Sequence, residues 1–225
     1  MRRAGTIVCV LALAACAATV GATGGSERPR RDAAWYARVE DEIFRALNQA
    51  RRDPPGYSSK LEALLPRFEG RVLHRRGREV PTQTSEGAAA VREGVRVLRS
   101  QQRAAALSRS GALSRAARDH VADQGPAGRT GHRGSDGATT AARASRYGQW
   151  HVSLSENIAY GQFTNGEEVI TDLIVDDGVP DRGHRRNIFD GTARVAGIGC
   201  GPHRTYGSMC VIVQAGGYTE APPRH

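Results

Sequence analysis

The sequence of 225 residues has few cysteines, no long apolar run and no internal repeat. Four cysteines are too few for a disulfide-dense mini-scaffold. No segment offers the roughly 20 apolar residues that a membrane-spanning helix needs. The absence of a repeat argues against solenoid architectures. A hydrophobic content of 39% then favours a single globular domain, with or without an extension.

Sequence signatures of several enzyme classes are also missing. The chain has no His-Glu-x-x-His segment, no Cys-x-x-Cys pair and no Gly-x-Ser-x-Gly elbow. It has no phosphate loop and no dinucleotide fingerprint either. Local sequence motifs therefore identify neither a catalytic nucleophile nor a nucleotide-binding site.

The net charge of +9 is concentrated in the first half of the chain. Residues 26–110 hold 18 basic and 11 acidic side chains, whereas residues 111–225 hold 12 of each. The basic run at residues 71–78 is predicted to be an exposed loop. No aromatic residues are interleaved there to stack on bases, so we expect a solvated surface and no nucleic-acid partner.

The N-terminus is typical of a secretion signal over residues 1–25. Two arginines precede an apolar run at residues 7–15, and small residues follow. The Leu-Ala-Ala-Cys segment ending at Cys16 resembles the lipobox of bacterial lipoproteins, in which the cysteine is lipidated. Ordinary cleavage after Ala17 or Ala22 is the alternative. Both predict a secreted, extracellular or cell-envelope protein, periplasmic or lipid-anchored.

Two cysteines fall outside this signal region. Because Cys9 and Cys16 belong to the signal, Cys200 and Cys210 are the remaining pair. Export to an oxidising compartment favours a disulfide between them, and two free thiols are the alternative.

Hydrophobic periodicity predicts several helices followed by late strands. Ser110 is a predicted N-cap, and Asn165 begins a segment with capping-box spacing. The segment Asp53-Pro54-Pro55-Gly56 is predicted to stop the first helix. The predicted helices lie near residues 35–50, 86–100, 110–124 and 165–177, and a hairpin joins strands 195–200 and 208–215. This order indicates a mixed α/β domain with a small antiparallel sheet.

Three glycine-flanked polar motifs contain the candidate functional side chains His132, Glu156 and His184. Two imidazoles and a carboxylate can ligate a divalent metal or act as a general acid and base. The spacing of these residues does not decide between metal binding and acid–base catalysis. His120, on the apolar face of its helix, is predicted to be a core histidine.

The order of these motifs resembles the CAP superfamily, which comprises cysteine-rich secretory proteins, antigen 5 and pathogenesis-related class 1 proteins. It is most similar to the bacterial secreted, SCP-like branch. The similarity covers residues 36–218, which places one domain at 35–218 between a linker at 26–34 and a tail at 219–225. The segments that carry it are residues 46–51, 113–120, 131–132, 155–158, 183–188, 195–200 and 209–213.

The resemblance implies an α-β-α sandwich with a central cleft. In some members two histidines and two acidic residues of the cleft bind a divalent metal such as zinc. His132, Glu156 and His184 match three of these positions, with His132 and His184 as the metal ligands. Asp176 is the best match to the fourth, where the family has a glutamate. Aspartate is one methylene shorter, which would weaken metal binding.

The resemblance also implies a function. We expect an extracellular binding module for a lipid, a sterol or another small hydrophobic ligand, with an envelope or protein partner as a further expectation. The alternative is a protease-like hydrolase of the cell envelope that uses His132, Glu156 and His184, with or without metal. Membrane contact is expected only through a lipid anchor at Cys16.

Overall fold

The computed structural model describes residues 31–222. The predicted signal peptide and the lipid anchor at Cys16 lie outside these residues. The first helix, α1 (Ala33–Arg52), begins where the Asp32 carboxylate accepts a hydrogen bond from the main-chain N–H of Trp35 at 2.8 Å. The final strand ends at Glu220, so the folded part extends two residues beyond the predicted 35–218 at each end. Within residues 31–222 no helix has the length and apolarity to span a membrane.

Six further helices follow α1 among the described residues. Both predicted N-caps are confirmed, because Ser110 accepts from the N–H of Leu113 and Asn165 accepts from the N–H of Glu168. The helices are α2 (Pro54–Glu62), α3 (Ala88–Ser100), α4 (Gly111–Gln124), α5 (Thr140–Ser145), α6 (Gly166–Val175) and α7 (Gly183–Ile188).

The proline pair that ends α1 also begins α2. Asp53 caps α2 by accepting a hydrogen bond from the N–H of Gly56 at 3.3 Å. Pro54 and Pro55 occupy the first helical positions, where a missing N–H costs nothing. The sequence predicts the stop, and Leu61, Leu64 and Leu65 suggest a short helix after it, but the helix begins earlier than these residues indicate, at Pro54.

The strands form two sheets. A small antiparallel sheet contains β1 (Phe68–Glu69), β2 (Val72–Leu73) and β3 (Thr82–Gln83). The main sheet contains β4 (Ser108–Arg109), β5 (Gly148–Gly161), β6 (Val195–His203) and β7 (Gly207–Glu220), in the order β4-β6-β7-β5. The β6–β7 hairpin confirms the predicted one, and Cys200 and Cys210 face each other across it in a disulfide. The sheet is not wholly antiparallel, because β4 pairs with β6 in parallel.

The main sheet lies between two helical layers, which confirms the predicted α-β-α sandwich. One face, with Ile198 and Ile212, packs against α1, α3 and α6. The opposite face, with Val211 and Val213, packs against α4 and α5. Side chains alternate across the strands, so neighbouring residues of β5 serve different layers.

Alternating glycines in β6 bring α4 against the sheet. A Cβ atom at Gly197 would lie 2.2 Å from the main chain of Leu113 and Ser114. A Cβ atom at Gly199 would lie 2.6 Å from the main-chain nitrogen of Arg118. Only glycine permits this approach, so the strand sets the position of α4.

The basic run at residues 71–78 is not simply the exposed loop that the sequence predicted. Residues Val72–Leu73 form β2, and Leu73 is buried. Arg75 and Arg78 turn inward to the carboxylate of Glu168, and Arg75 also pairs with Asp172. These ion pairs fasten the small sheet to α6, whereas Arg71 and Arg76 remain exposed.

Candidate functional site

His132 and Glu156 form the first histidine–carboxylate pair. His132 lies in the loop before α5, and Glu156 projects from β5. The imidazole Nδ1 of His132 lies 2.9 Å from Glu156 Oε1. The Glu156 side chain is 2% exposed and that of His132 is 29% exposed, so the histidine forms the accessible side of the pair.

Arg143 and Thr140, both in α5, complete the surroundings of Glu156. Arg143 Nη2 donates to Glu156 Oε2 at 2.6 Å, and Thr140 Oγ1 donates to Oε1 at 2.9 Å. Burial alone would raise the pKa of Glu156, but the hydrogen bond from His132 and the charge of Arg143 outweigh it and lower the pKa. Because the ionised carboxylate only accepts hydrogen bonds, Nδ1 of His132 carries the proton and Nε2 is left for a ligand.

Buried side chains hold the loop that contains His132. His120 Nε2 lies 2.8 Å from the main-chain oxygen of Gly131, and Tyr160 accepts a hydrogen bond from the N–H of the same glycine at 2.9 Å. His120 is fully buried, which confirms its prediction as a core histidine. Burial lowers the pKa of His120 and raises that of Tyr160 to about 12, so both side chains are neutral near pH 7.

His184 and Asp176 form the second histidine–carboxylate pair. Asp176 ends α6 in the left-handed conformation (φ 57°, ψ 43°). Its Oδ1 lies 2.6 Å from Nδ1 of His184, and its Oδ2 accepts a hydrogen bond from the main-chain N–H of His184 at 2.9 Å. One carboxylate thus fixes both the start of α7 and the orientation of an imidazole. Both residues are buried.

Arginines anchor the segment between α6 and α7 to α3. Arg185 donates to Glu93 at 2.8 Å and to the main-chain oxygen of Ile174 at 2.5 Å. Arg182 pairs with Glu93 and with both carboxylate oxygens of Glu86. The hydrogen bond from Arg182 is the main cause that lowers the pKa of Glu86 to about 2. These hydrogen bonds and ion pairs hold the segment that contains His184 against α3.

The four predicted side chains form two hydrogen-bonded pairs. Within residues 31–222 no hydrogen bond or ion pair links the His132–Glu156 pair to the His184–Asp176 pair. Side chains alternate along β5, so Glu156 faces the α5 layer, whereas Asn157 faces α7 and donates to the main-chain oxygen of His184 at 3.1 Å.

The arrangement of these side chains also affects whether they can bind the expected metal ion. Among the described residues no group of three or more His, Cys, Asp or Glu side chains is arranged to hold a metal ion. Both Nδ1 atoms are engaged with carboxylates, and Glu156 is further engaged by Arg143. Only the Nε2 atoms of His132 and His184 are left, which do not fit the three or four protein ligands of a zinc centre. The metal expectation stays a prediction that rests on the resemblance.

His184 and Asp176 line a narrow cleft that runs along α6, here called the α6 cleft. Its cavity volume is about 60 Å³. Its opposite wall is the small sheet that the Arg75 and Arg78 ion pairs hold against α6. Most of its surface is apolar and comes from Leu64, Phe68, Leu73, Val91, Phe163 and Leu173.

Sequence reasoning missed Arg143, Thr140 and the small-sheet wall of the cleft. Arg143 donates to the main-chain oxygens of His132 and Ala138 as well as to Glu156, at separations of 11, 5 and 13 residues. The contacts of Arg143 follow neither the period of a helix nor that of a strand, so hydrophobic periodicity could not reveal its role. The one available signal was an arginine on a short helix, close in sequence to two candidate site residues.

Comparison with known proteins identifies the family. No curated protein matches the chain. One similar solved structure, at 1.5 Å resolution, is an extracellular protein containing an SCP domain from Bacillus anthracis str. Ames, with 18% identity and a TM-score of 0.41. The match covers 50% of this chain and 34% of that protein, so the chain matches about a third of its length. The family model of the cysteine-rich secretory proteins matches residues 44–214, which contain every predicted cleft residue. The chain therefore belongs to the cysteine-rich secretory protein (CAP) family.

Proposed function

We propose that this protein is an extracellular binding module that takes a lipid, a sterol or another small hydrophobic molecule in the α6 cleft. The observation that carries the proposal is the mostly apolar surface of the cleft, which is typical of small-molecule sites. Such sites combine apolar walls with a few polar groups that orient the ligand.

His184 is the best candidate for the orienting group. Its Nδ1 is held by Asp176, so the ring cannot turn freely. Its Nε2 is the atom left to hydrogen bond with a hydroxyl or carbonyl group of the ligand. A buried polar group in an apolar cleft discriminates strongly between ligands that satisfy it and ligands that do not.

The extracellular location rests on the N-terminal sequence, which has the features of a secretion signal. Attachment to the envelope through lipid at Cys16, or contact with an envelope or protein partner, belongs to the same proposal. Mass spectrometry of the mature N-terminus tests the attachment. A diacylated Cys16 supports it, and an unmodified N-terminus beyond Cys16 removes it.

Ligand binding is tested with the purified protein against a panel of fatty acids, fatty alcohols, phospholipids and sterols. Leu64→Trp places an indole at the cleft and should abolish binding of any ligand that the wild type takes. Val80→Trp is the matched control, because Val80 is 57% exposed and does not line the cleft. A folded wild type that binds nothing in the panel, or equal binding by both variants, would contradict the proposal.

A hydrolase of the cell envelope is the second candidate. It is favoured by the two imidazoles whose Nδ1 atoms are held by carboxylates, because such a ring is oriented to act as a general base through Nε2. In this scheme His132 or His184 activates water, and the carboxylate on its Nδ1 atom, Glu156 or Asp176 respectively, stabilises the protonated ring. Any turnover found with peptide or ester substrates should be lost in His184→Ala and His132→Ala. Turnover unchanged in both variants would exclude these residues.

A further inference from the structure

The outward face of α3 carries a line of arginines, here called the arginine stripe. Its members follow one another at intervals of four, three and four residues, and all are exposed: Arg92, Arg96, Arg99 and Arg103. The first three lie on one side of α3, because residues three or four apart are neighbours on a helix surface, and Arg103 follows three residues after the helix ends. The opposite side of α3 is buried and contributes Val91 to the α6 cleft. The stripe therefore faces away from that cleft.

Three of the four guanidinium groups in the stripe have no carboxylate partner. Arg99 donates to Glu62 at 2.9 Å. The other three make neither a hydrogen bond nor an ion pair with any residue in the range 31–222. The single carboxylate within α3, Glu93, is already paired with Arg182 and Arg185. The stripe thus presents three positive charges that no ion pair in the described chain offsets.

The composition of the chain does not by itself explain this surface. Nearly every basic residue is an arginine, so arginines are expected on all the helices. On the outward face of α1, however, the two signs of charge are mixed: Arg38 pairs with Glu42, and Asp41 pairs with Arg109. In α3 every exposed charged side chain is basic. A surface of one sign along a whole helix attracts ions of the opposite sign.

The spacing of the arginines indicates the shape and chemistry of the anion. Along the helix axis Arg92 and Arg96 are about 6 Å apart, and Arg96 and Arg99 are about 4.5 Å apart. A chain with repeated negative charges can neutralise such a row, whereas one small anion reaches only a part of it. The oxygens of a phosphate group are arranged tetrahedrally, so one group can accept hydrogen bonds from two neighbouring guanidinium groups. A carboxylate has two oxygens in one plane and pairs with a single guanidinium. The close spacing therefore favours phosphate.

The same surface lacks the side chains with which proteins bind bilayers or nucleic-acid bases. Helices that lie on a membrane bury large apolar side chains beside their basic ones. The exposed residues between the arginines of α3 are small, namely Ala89 and Ser100. Residues 86–104 contain no aromatic side chain that could stack on a base. The stripe is thus suited to the charges of a polymer and not to an apolar or aromatic surface.

We propose that the arginine stripe binds a linear polyanion whose charges are phosphate groups and whose chain lies along α3. Arg92 and Arg96 bind neighbouring phosphates, and Arg103 extends the contact beyond the end of the helix. The inference goes beyond the proposed function, because the polymer occupies the outside of α3 and leaves the α6 cleft free for its own ligand. It gives a role to part of the excess positive charge of residues 26–110.

Linear inorganic polyphosphate is the probe, and inorganic phosphate at the same concentration of phosphate groups is the comparison. Titration calorimetry measures both. The wild-type protein should bind the polymer at least about tenfold more tightly than the single group, because several guanidinium groups act on one chain. Between about 50 and 200 mM salt the affinity for the polymer should fall on the order of tenfold, because binding releases counterions.

Arg92→Gln/Arg96→Gln should weaken polyphosphate binding about tenfold at low salt and reduce its dependence on salt. Glutamine and arginine have similar helix propensities, so α3 should remain folded, which circular dichroism checks. Arg38→Gln/Arg45→Gln is the matched control, because it removes the same charge from exposed positions of α1. This control should bind polyphosphate as the wild type does.

Four outcomes would overturn the inference. The first is a wild type that does not bind polyphosphate. The second is an equal loss of binding in both double variants, which would show a response to net charge alone. The third is equally tight binding of polyglutamate, which would remove the preference for phosphate. The fourth is binding only to vesicles of phosphatidylglycerol and phosphatidylcholine, which would identify a membrane surface as the partner.

The test is independent of the proposed function. Leu64→Trp, which blocks the α6 cleft, should bind polyphosphate with wild-type affinity. Conversely, Arg92→Gln/Arg96→Gln should bind any ligand of the cleft as the wild type does. Loss of polyphosphate binding in Leu64→Trp would place the polymer at the cleft and overturn the inference.

Discussion

Asp176 holds His184 by two bonds at once, accepting from the imidazole Nδ1 at 2.6 Å and from the main-chain N–H at 2.9 Å. The aspartate is also the C-cap residue directly after α6, in a left-handed conformation (φ 57°) that most side chains avoid. Aspartate and asparagine are the non-glycine residues that tolerate it best. Aspartate therefore suits this position because it tolerates the left-handed backbone and accepts both hydrogen bonds from His184, in addition to any role in the cleft.

This relationship predicts an order of stabilities at position 176. Asp176→Asn keeps the tolerated backbone conformation and one acceptor oxygen, and it should cost about 1 kcal/mol of unfolding free energy. Asp176→Ala leaves the N–H of His184 and the imidazole without an acceptor and should cost about 3 kcal/mol. Urea unfolding followed by circular dichroism measures both. Equal losses in the two variants would show that the hydrogen bonds to His184 contribute little.

Loss of Arg143 should change how stability depends on pH. Arg143→Met leaves the buried Glu156 carboxylate without its guanidinium partner and should cost about 3 kcal/mol at pH 7. In the wild type the pKa of Glu156 is lowered from its ordinary value of 4.5, so its charge stabilises the fold above that pH, and this is lost on acidification. Without Arg143 one of the causes that lower the pKa of Glu156 is gone, so acidification removes less stabilisation from the variant.

The difference in stability between wild type and Arg143→Met should therefore shrink between pH 7 and pH 4. Urea midpoints at several pH values measure it. Arg146→Met is the control, because the Arg146 side chain is 44% exposed in its ion pairs and should contribute less than about 0.5 kcal/mol. A difference that does not change with pH would mean that Glu156 is not the group that responds to Arg143.

The glycines of β6 give a third prediction. Gly199→Ala puts a Cβ atom 2.6 Å from the main-chain nitrogen of Arg118 and should cost about 2–3 kcal/mol, because α4 must move away from the sheet. Gly191→Ala is the control, since no atom lies within 4 Å of the added Cβ, and it should be close to neutral. The melting temperatures of Gly199→Ala and Gly191→Ala in thermal unfolding measure the difference. Equal melting temperatures would show that α4 moves at little cost.

Reduction of the disulfide should destabilise the protein without unfolding it at room temperature. Cys200 and Cys210 are ten residues apart, and closing a loop of this length stabilises by about 2–3 kcal/mol. Melting temperatures with and without a reductant measure the loss. Cys200→Ala/Cys210→Ala should be insensitive to the reductant. A wild type that melts at the same temperature in both conditions would contradict the expected contribution.

Local signals predicted the parts of the fold that depend on neighbours in sequence. Ser110 and Asn165 cap their helices through partners three residues away, so a window of four residues contains the whole interaction. The hairpin with Cys200 and Cys210 is likewise local. The candidate site residues were also found from local sequence, because their motifs are short and flanked by glycine.

Features that depend on distant partners escaped prediction. The basic run at residues 71–78 predicts an exposed loop for Arg75 and Arg78, yet their partner Glu168 lies about 90 residues later. Strand alternation sends Glu156 to Arg143 on one face and Asn157 to α7 on the other. Both outcomes depend on tertiary packing, which overrides the local pattern.

The strand order has a consequence for the order of folding. The last described strand, β7, lies between β5 and β6, so the centre of the sheet comes from the end of the folded region. Until residues 207–220 are present, β5 has no partner in the main sheet, and the faces that α1 and α4 cover are incomplete. Pairings that span much of the chain form slowly. The domain must therefore fold after its synthesis is nearly complete, and a chain shortened before Gly207 should remain a collapsed, protease-sensitive state.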